Sequence, residues 1–341
     1  MSDFTLTLKQ LTDAGLHLVP IPPHNGKPTK APGKGWNKPR SPQNPNGYTN
    51  SPDAIIGCDG FNFGLYHSAS NTLALDLDDV ELARRVFEDT TDLQLLDWLE
   101  NNERVQIKSP KANRGKLLFT LPTGFTAAGL RQLKHDGKSI FELRSGNCQD
   151  VVIGQHPEGG AYQFIGNPAA IPEAPAVLLD MLQNWGDWKP CLDSALGIAE
   201  PPKIAPHKPQ QGEQLPNWRN PIQEFNQSCC VSDVLTRNGY MRTGKDRFIR
   251  PGSSSKAPGT VIMHNCTDGV ERVYSHGGDV LNDGFAHDAF DCFRLLEHGG
   301  DWTAALNWNS EVTKHNQRLY QEEQAKKRAR VAAGSKSKAT L

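Results

Sequence analysis

The chain lacks any apolar run near the ~18 residues that a membrane span needs, and its longest early one, Leu16 to Pro20, is stopped by proline. No membrane segment and no secretory signal peptide are expected. Excess charge of either sign is missing too. Lys plus Arg number 37 against 38 Asp plus Glu, and a net charge of −1 excludes a wholly basic, histone-like binder. The seven cysteines contain no CxxC pair, and the adjacent Cys229 and Cys230 cannot easily bridge each other. A cytoplasmic protein with reduced thiols and no disulfide frame is the economical reading. GxSxG, HExxH and a GxGxxG turn between strand and helix do not occur. Gly137-Lys138-Ser139 mimics the end of a phosphate-binding P-loop, but the position five before Gly137 is Gln132 rather than glycine. Serine hydrolase, zincin, Rossmann and P-loop ATPase readings therefore fall.

What is present is unevenly arranged. At 341 residues the chain has room for two or three domains. From Ile198 to Pro221 it carries Pro201, Pro202, Pro206, Pro209, Pro216 and Pro221 among polar residues, the composition of an extended linker. From Glu311 onward eight Lys and Arg face three Glu, so a basic tail follows a more acidic body. The expected organisation is a catalytic domain over 1–190, a linker over 191–221, a small module over 222–310 and a tail over 311–341. Within the first domain, Thr7–Ala14 reads as a helix, Leu16–Pro20 as a strand and residues 21 to 53 as a long loop of the kind that is more often functional than idle. Phe63–Tyr66 and Thr72–Asp78 read as strands, and Val80–Leu99 as a helix capped by Asp79. Lys116–Leu121, Ser139–Leu143, Asp150–Ile153 and Tyr162–Ile165 read as further strands, and Ala174–Trp185 as a closing helix. Helices set among hairpin-length strand gaps predict an α+β fold rather than a doubly wound parallel sheet.

Four constellations could carry chemistry. In Thr72-Leu-Ala-Leu-Asp76-Leu-Asp78 the two acids are two apart on a strand, so both point to one side while Leu75 and Leu77 point to the other. Paired carboxylates suit a hard cation such as Mg²⁺ or Mn²⁺, although Asp-x-Asp alone also suits a solvated strand end. Phe141-Glu142-Leu143-Arg144 puts an acid and a base on one face, either as a salt-bridged strand or as a third ligand beside a phosphate contact. His156 stands on a glycine-rich turn after the apolar Val151-Val152-Ile153, a better position for substrate contact than for packing. Lys108, Ser109, Lys111, Arg114, Gly115 and Lys116 precede Leu117-Leu118-Phe119, forming either a triphosphate cradle or an ordinary basic turn.

Taken in order, these segments resemble the bifunctional primase/polymerase (prim-pol) domain of the archaeo-eukaryotic primase superfamily, over about residues 10 to 185. Leu18-Val19-Pro20-Ile21-Pro22 with Lys30-Ala31-Pro32 and Gly35-Trp36 is similar to its opening segment. The strand ending Asp76-Leu77-Asp78 is similar to its first acidic motif, Ser109–Phe119 to its second and Phe141–Arg144 to its third. Gln149–Ile153, His156-Pro157 and Tyr162 are similar to the following hairpin. Two departures stand out: Lys116 replaces the second motif's usual histidine, and Ile153-Gly154-Gln155 replaces Pro-Pro-Ser.

The resemblance implies an RRM-like mixed-sheet domain that performs template-directed nucleotidyl transfer from NTP or dNTP. Asp76, Asp78 and Glu142 would be the catalytic acids, holding two Mg²⁺ or Mn²⁺ ions. Ser109, Arg114, Lys116, Arg144 and His156 would bind the triphosphate, with single-stranded DNA template over the sheet beside residues 27 to 40. Since no helicase motif accompanies the domain, a phage, prophage or plasmid setting with a separate replicative helicase is expected. A metal-dependent nuclease and a non-catalytic single-stranded DNA-binding accessory protein are the alternatives.

Val231 to Trp302 is similar in order to the zinc-binding ribbon at the front of bacterial-type primases. Pro251-Gly252-Ser253 and Ser275-His276-Gly277 occupy the turns where cysteines would be needed. His264, Cys266, His276 and His287 are irregularly spaced, which argues against zinc. A degenerate α+β ribbon-like module is expected, with Arg242, Lys245, Arg247, Arg250 and Lys256 presenting charge to DNA or forming only a basic turn. Lys326, Lys327, Arg328 and Arg330 belong to a helical tail that either contacts DNA phosphates or merely solubilises the end.

Overall fold

The computed structural model describes residues 3–55, 58, 60–93, 104–197, 203–204, 215–264, 266 and 268–337. The chain divides into two compact units, Met1–Ala199 with Ser254–Ala257, and Glu200–Ser253 with Pro258–Leu341. Much of the Pro-rich stretch, 198–202 and 205–214, lies outside the described residues.

The first unit contains, in chain order, α1 (Asp3–Asp13), β1 (Leu18–Ile21), β2 (Asn62–Tyr66), α2 (His67–Ser70), β3 (Thr72–Leu77), α3 (Val80–Thr90), β4 (Gln106–Lys108), β5 (Gly115–Thr120), β6 (Leu130–His135), β7 (Lys138–Ser145), β8 (Gln149–Gln155), β9 (Ala161–Ile165), α4 (Ala176–Gln183) and α5 (Trp185–Ala195). The strands form one sheet in the order β1-β2-β8-β9-β4-β5-β3-β7-β6, and its ladders are antiparallel. The unit is α+β, as its order of elements predicts. The mixing lies in helices among strands, not in strand direction.

Alternation along β3 organises both cores. Leu73, Leu75 and Leu77 are buried with Val86 and Phe87 of α3, Leu178 and Met181 of α4, and Trp188 and Leu192 of α5. Ala74, on the opposite face, joins Leu118, Ile107, Phe63, Leu65 and Val151 in a second core that α1 covers through Leu8 and Leu11. Asp76 continues the face of Ala74.

Several boundaries differ from expectation. The helix expected over Val80–Leu99 ends at Thr90, where the hydroxyls of Thr90 and Thr91 turn back onto the carbonyls of Val86 and Phe87 at 2.7 and 2.8 Å. Residues 94–99 lie outside the described set. Asp79 caps α3, accepting from the Leu82 N–H at 3.1 Å. The closing helix expected over Ala174–Trp185 is α4, which stops at Asn184, and a further helix, α5, follows it. The long loop after β1 is stapled by Asn44 Nδ2, which donates to the carbonyls of Gly35 and Pro39 at 3.0 Å each.

The second unit contains β10 (Lys203–Ile204), α6 (Pro221–Ser228), α7 (Val231–Arg237), β11 (Met241–Thr243), β12 (Arg247–Ile249), β13 (Thr260–Met263), β14 (Arg272–Ser275), β15 (Phe285–Ala286), α8 (Ala289–Glu297), α9 (Trp302–Leu306) and α10 (Ser310–Ser337). β11 to β14 form an antiparallel meander in sequence order, and β10 pairs parallel with β15. Phe248, Ile262 and Val273 pack with Phe225, Leu235 and Phe290 to make its core.

Candidate active site

Antiparallel pairing brings the sequence motifs onto one rung. Asp76 of β3 faces Lys116 of β5 on one side and Glu142 of β7 on the other. Glu142 in turn faces Gln132 of β6. Side chains on a rung project to the same face, so Lys116, Asp76, Glu142 and Gln132 form a row across four strands. Asp78 follows where the chain leaves β3, its N–H bonded to the Ile140 carbonyl at 2.9 Å.

An open pocket at this end of the sheet is lined by Asp76, Asp78, Ser109, Lys111, Arg114 and Lys116, together with Lys30, Ile107, Gly115, His156 and Tyr162. The structure thus gathers both Asp-x-Asp carboxylates, the basic loop before β5 and the β8–β9 turn. Two features show how closely these loops approach. Lys111 Nζ pairs with Glu158 at 2.7 Å, and a Cβ added at Gly160 would lie 2.5 Å from that of Pro110. His156 is buried, and its Nδ1 accepts the Glu158 N–H at 3.1 Å. The ring proton therefore sits on Nε2. Burial first, then Lys30 and Lys111, push the imidazole pKa below its ordinary value, which keeps it neutral. Lys30 lies over the Tyr162 ring, 5.6 Å from its centroid.

The acids are engaged by cations. Lys116 Nζ donates to Asp76 Oδ2, and Arg114 Nη1 reaches Asp78 at 3.1 Å. Arg144 Nη1 donates to Glu142 at 2.6 Å, and Gln132 holds the other oxygen of that carboxylate. Burial, the largest influence on Asp76, pushes its carboxyl up to about 6 against the pull of Lys116, with Asp150 and Asp78 adding to the rise. Burial disfavours the Lys116 ammonium, but Asp150 and Asp76 outweigh it and raise that pKa.

Asp150 is the residue that sequence reasoning missed. Only 4% exposed, it accepts from His67 Nε2 at 2.8 Å, and it pairs with Lys116 Nζ at 3.1 Å and Arg144 Nε at 2.9 Å. Burial opposes its ionisation, yet Lys116, Arg144 and His67 together hold its pKa well below the carboxylate range. The available signal was an acid opening the apolar run Asp150-Val-Val-Ile, since a buried charge needs partners. Lys30 and Tyr162 also join the pocket without having been chosen from sequence.

Arg144 needs correcting as a triphosphate contact. Its three nitrogens serve Asp150, Glu142 and the Gln149 carbonyl, and it does not line the pocket. Arg247 needs correcting as a DNA contact, because β12 is covered on both faces and leaves its side chain 1% exposed. Arg242, Lys245, Lys256, Lys326, Lys327, Arg328 and Arg330 are exposed, and Arg250 is half-buried. The four candidate zinc ligands are spread among other partners. His264 sits between Asp246 and Glu271 at 3.1 Å each, His287 contacts Asp283 at 2.9 Å, Cys266 Sγ lies 3.7 Å from the Met263 carbonyl and His276 packs edge-on to Tyr274.

Among the described residues, no three His, Cys, Asp or Glu side chains converge on one point. The donor set at the pocket nonetheless suits Mg²⁺ or Mn²⁺. Two hard carboxylates, Asp76 and Asp78, stand beside a basic lining, and Mg²⁺ is usually held by one or two carboxylates plus substrate phosphates.

No helix among the described residues is long and apolar enough to cross a membrane. No curated protein matches the chain. Residues 8–177, which include every element of the pocket, match the family described as bifunctional DNA primase/polymerase, N-terminal. With its acidic rung, basic loop and histidine turn in the expected order, the first unit of this chain belongs to the bifunctional DNA primase/polymerase family.

Proposed function

We propose that the chain is a nucleotidyltransferase that extends or starts DNA-templated strands from nucleoside triphosphates at the pocket of Asp76 and Asp78. The observation that carries this reading is the convergence of those two acids with Lys30, Lys111, Arg114, Lys116 and His156 around one opening. A triphosphate carries up to four negative charges, and the lining offers four cations and one neutral N–H donor. Ser109 and the backbone N–H groups of its loop add uncharged donors, while Lys116 and Arg114 each stand beside an acid they would share with the incoming phosphates.

Asp76 and Asp78 would hold Mg²⁺ or Mn²⁺, with Glu142 one strand away as the third acid, and such ions lower the pKa of a 3′-hydroxyl and stabilise charge on the α-phosphate and pyrophosphate. The template would pass over the loop that exposes Lys27, Lys30, Lys34 and Lys38. In the second unit, Arg242, Lys245, Arg250 and the exposed cations of α10 would contact DNA phosphates, reading charge and not sequence.

The test is incorporation of labelled NTPs and dNTPs on single-stranded DNA with Mg²⁺ or Mn²⁺, with and without primer, beside Asp76→Ala/Asp78→Ala. The expected result is product that disappears in the double variant. Shortened DNA without triphosphate would make the protein a nuclease. Unchanged DNA binding with no turnover would make it an accessory protein.

A further inference from the structure

We propose that Asp150 is the positioning residue of this site, a buried anion that holds Lys116 and Arg144 in place between itself and the two acids that those cations also serve. The proposal rests on the nucleotidyl-transfer reading.

Five side chains alternate in charge: Asp76, Lys116, Asp150, Arg144, Glu142. Each neighbouring pair is in contact: Lys116 donates to Asp76 and lies 3.1 Å from Asp150, and Arg144 lies 2.9 Å from Asp150 and 2.6 Å from Glu142. Asp150 is the only member of the chain outside the β5-β3-β7 ladders. It belongs to β8, three places from β5 in the sheet order, and reaches the others because only residues 146 to 148 separate β7 from β8. His67 Nε2 donates to its second oxygen, and Thr72 Oγ1 lies 2.9 Å from the other nitrogen of that ring. Three donors thus fill most of what one carboxylate can accept, with water almost excluded.

This arrangement separates two roles. Asp76 and Glu142 are the carboxylates a cation would draw away, and an incoming phosphate competes for Lys116 from the pocket. Without Asp150, Lys116 and Arg144 would then lose their fixed partners in a buried place, where an unpaired charge is costly. With Asp150 behind them, both cations stay neutralised and aimed while their front partners change. Asp150 does not line the pocket and touches no substrate in this scheme.

A double-mutant cycle of nucleotide KM and kcat tests it, using Asp150→Asn, Lys116→Gln and the pair in the full-length protein. Thermal melts and single-stranded DNA binding serve as folding controls. Asp150→Asn should raise nucleotide KM by about 10–100-fold, the range seen when a partner behind a ligand is lost. In the Lys116→Gln background the same change should alter KM by less than about threefold, because Asp150 acts through Lys116. An unchanged KM, or an equal rise in both backgrounds, overturns the proposal. Should Asp150→Asn not fold, His67→Leu removes one of its donors away from the pocket, and a smaller KM rise that vanishes with Lys116→Gln is expected. A wild-type protein that incorporates nothing sinks the nucleotidyl-transfer reading. The same cycle run as Kd for a fluorescent nucleoside triphosphate then still decides the role of Asp150, no binding by any variant counting against it.

Discussion

Asp76 and Lys116 stand directly opposite one another on adjacent antiparallel strands, and their side chains are ion-paired in the wall of the pocket. The pair is only about one-sixth exposed on either side. Burial dominates the carboxylate and raises its pKa from 3.8 to about 6 even with the ammonium in contact. Near neutral pH the folded protein therefore carries an ionised acid whose charge its buried surroundings disfavour.

Asp76→Asn should stabilise the metal-free protein at pH 8. An acid whose folded pKa is raised binds its proton more tightly when folded than when unfolded. Its ionised form then opposes folding fully above about pH 6, and that opposition fades as pH falls from 6 to below 3.8. Urea unfolding in EDTA should show the Asn variant about 1–3 kcal/mol more stable at pH 8, converging on wild type near pH 4. A less stable variant at pH 8 would contradict the sign.

Removal of the two strand acids should silence the chemistry without unfolding the chain. Asp76→Ala/Asp78→Ala should reduce incorporation by about a thousandfold or more, since charge stabilisation by a bound cation is worth several kcal/mol. Mg²⁺ or Mn²⁺ should raise the melting temperature of wild type and leave that of the double variant unmoved.

Gly160 holds the histidine turn against the basic loop. Its φ is +79°, and an added Cβ would lie 2.5 Å from that of Pro110, between Ser109 and Lys111. Gly160→Ala should cost about 1–3 kcal/mol in stability and raise nucleotide KM, because the loop must give way. Gly159→Ala is the comparison. It has φ +104° but meets nothing within 4 Å, so it carries the backbone strain without the clash and should leave KM close to wild type.

Charge on α10 should appear as salt dependence. Replacing Lys326, Lys327, Arg328 and Arg330 with Ala should flatten the slope of log affinity against log salt for single-stranded DNA by up to about 3, given roughly 0.7 per phosphate contact. Nucleotide KM should not change. An unaltered slope would leave the tail with no share in DNA binding.

In the first unit, the placement of the candidate site residues was legible wherever local spacing carries it. Two acids two apart on a strand must share a face, and Leu73, Leu75 and Leu77 must share the other, whatever the strand packs against. Asp79 as a helix cap and the glycine-rich turn at His156 are equally local. Strands β4 and β6 were not legible. Gln106–Lys108 is three residues long, and Leu130–His135 is a polar edge strand in which Leu133 alone is buried, so each exists only through its partner. Arg247 looked like a surface cation because its neighbours in sequence are basic. Its burial depends on what covers both faces of β12.

By itself, the sequence determined which residues could do chemistry and which faces they share along each strand and turn, because side-chain direction follows backbone period over a few residues. Only the tertiary structure decided that Asp76, Lys116 and Glu142 stand on one rung and that Asp150 lies behind them. It also turned Arg144 away from the pocket and toward two acids. Those outcomes depend on register and sheet curl, which are set by how two separate cores pack on the two faces of β3. No short stretch of sequence contains that information.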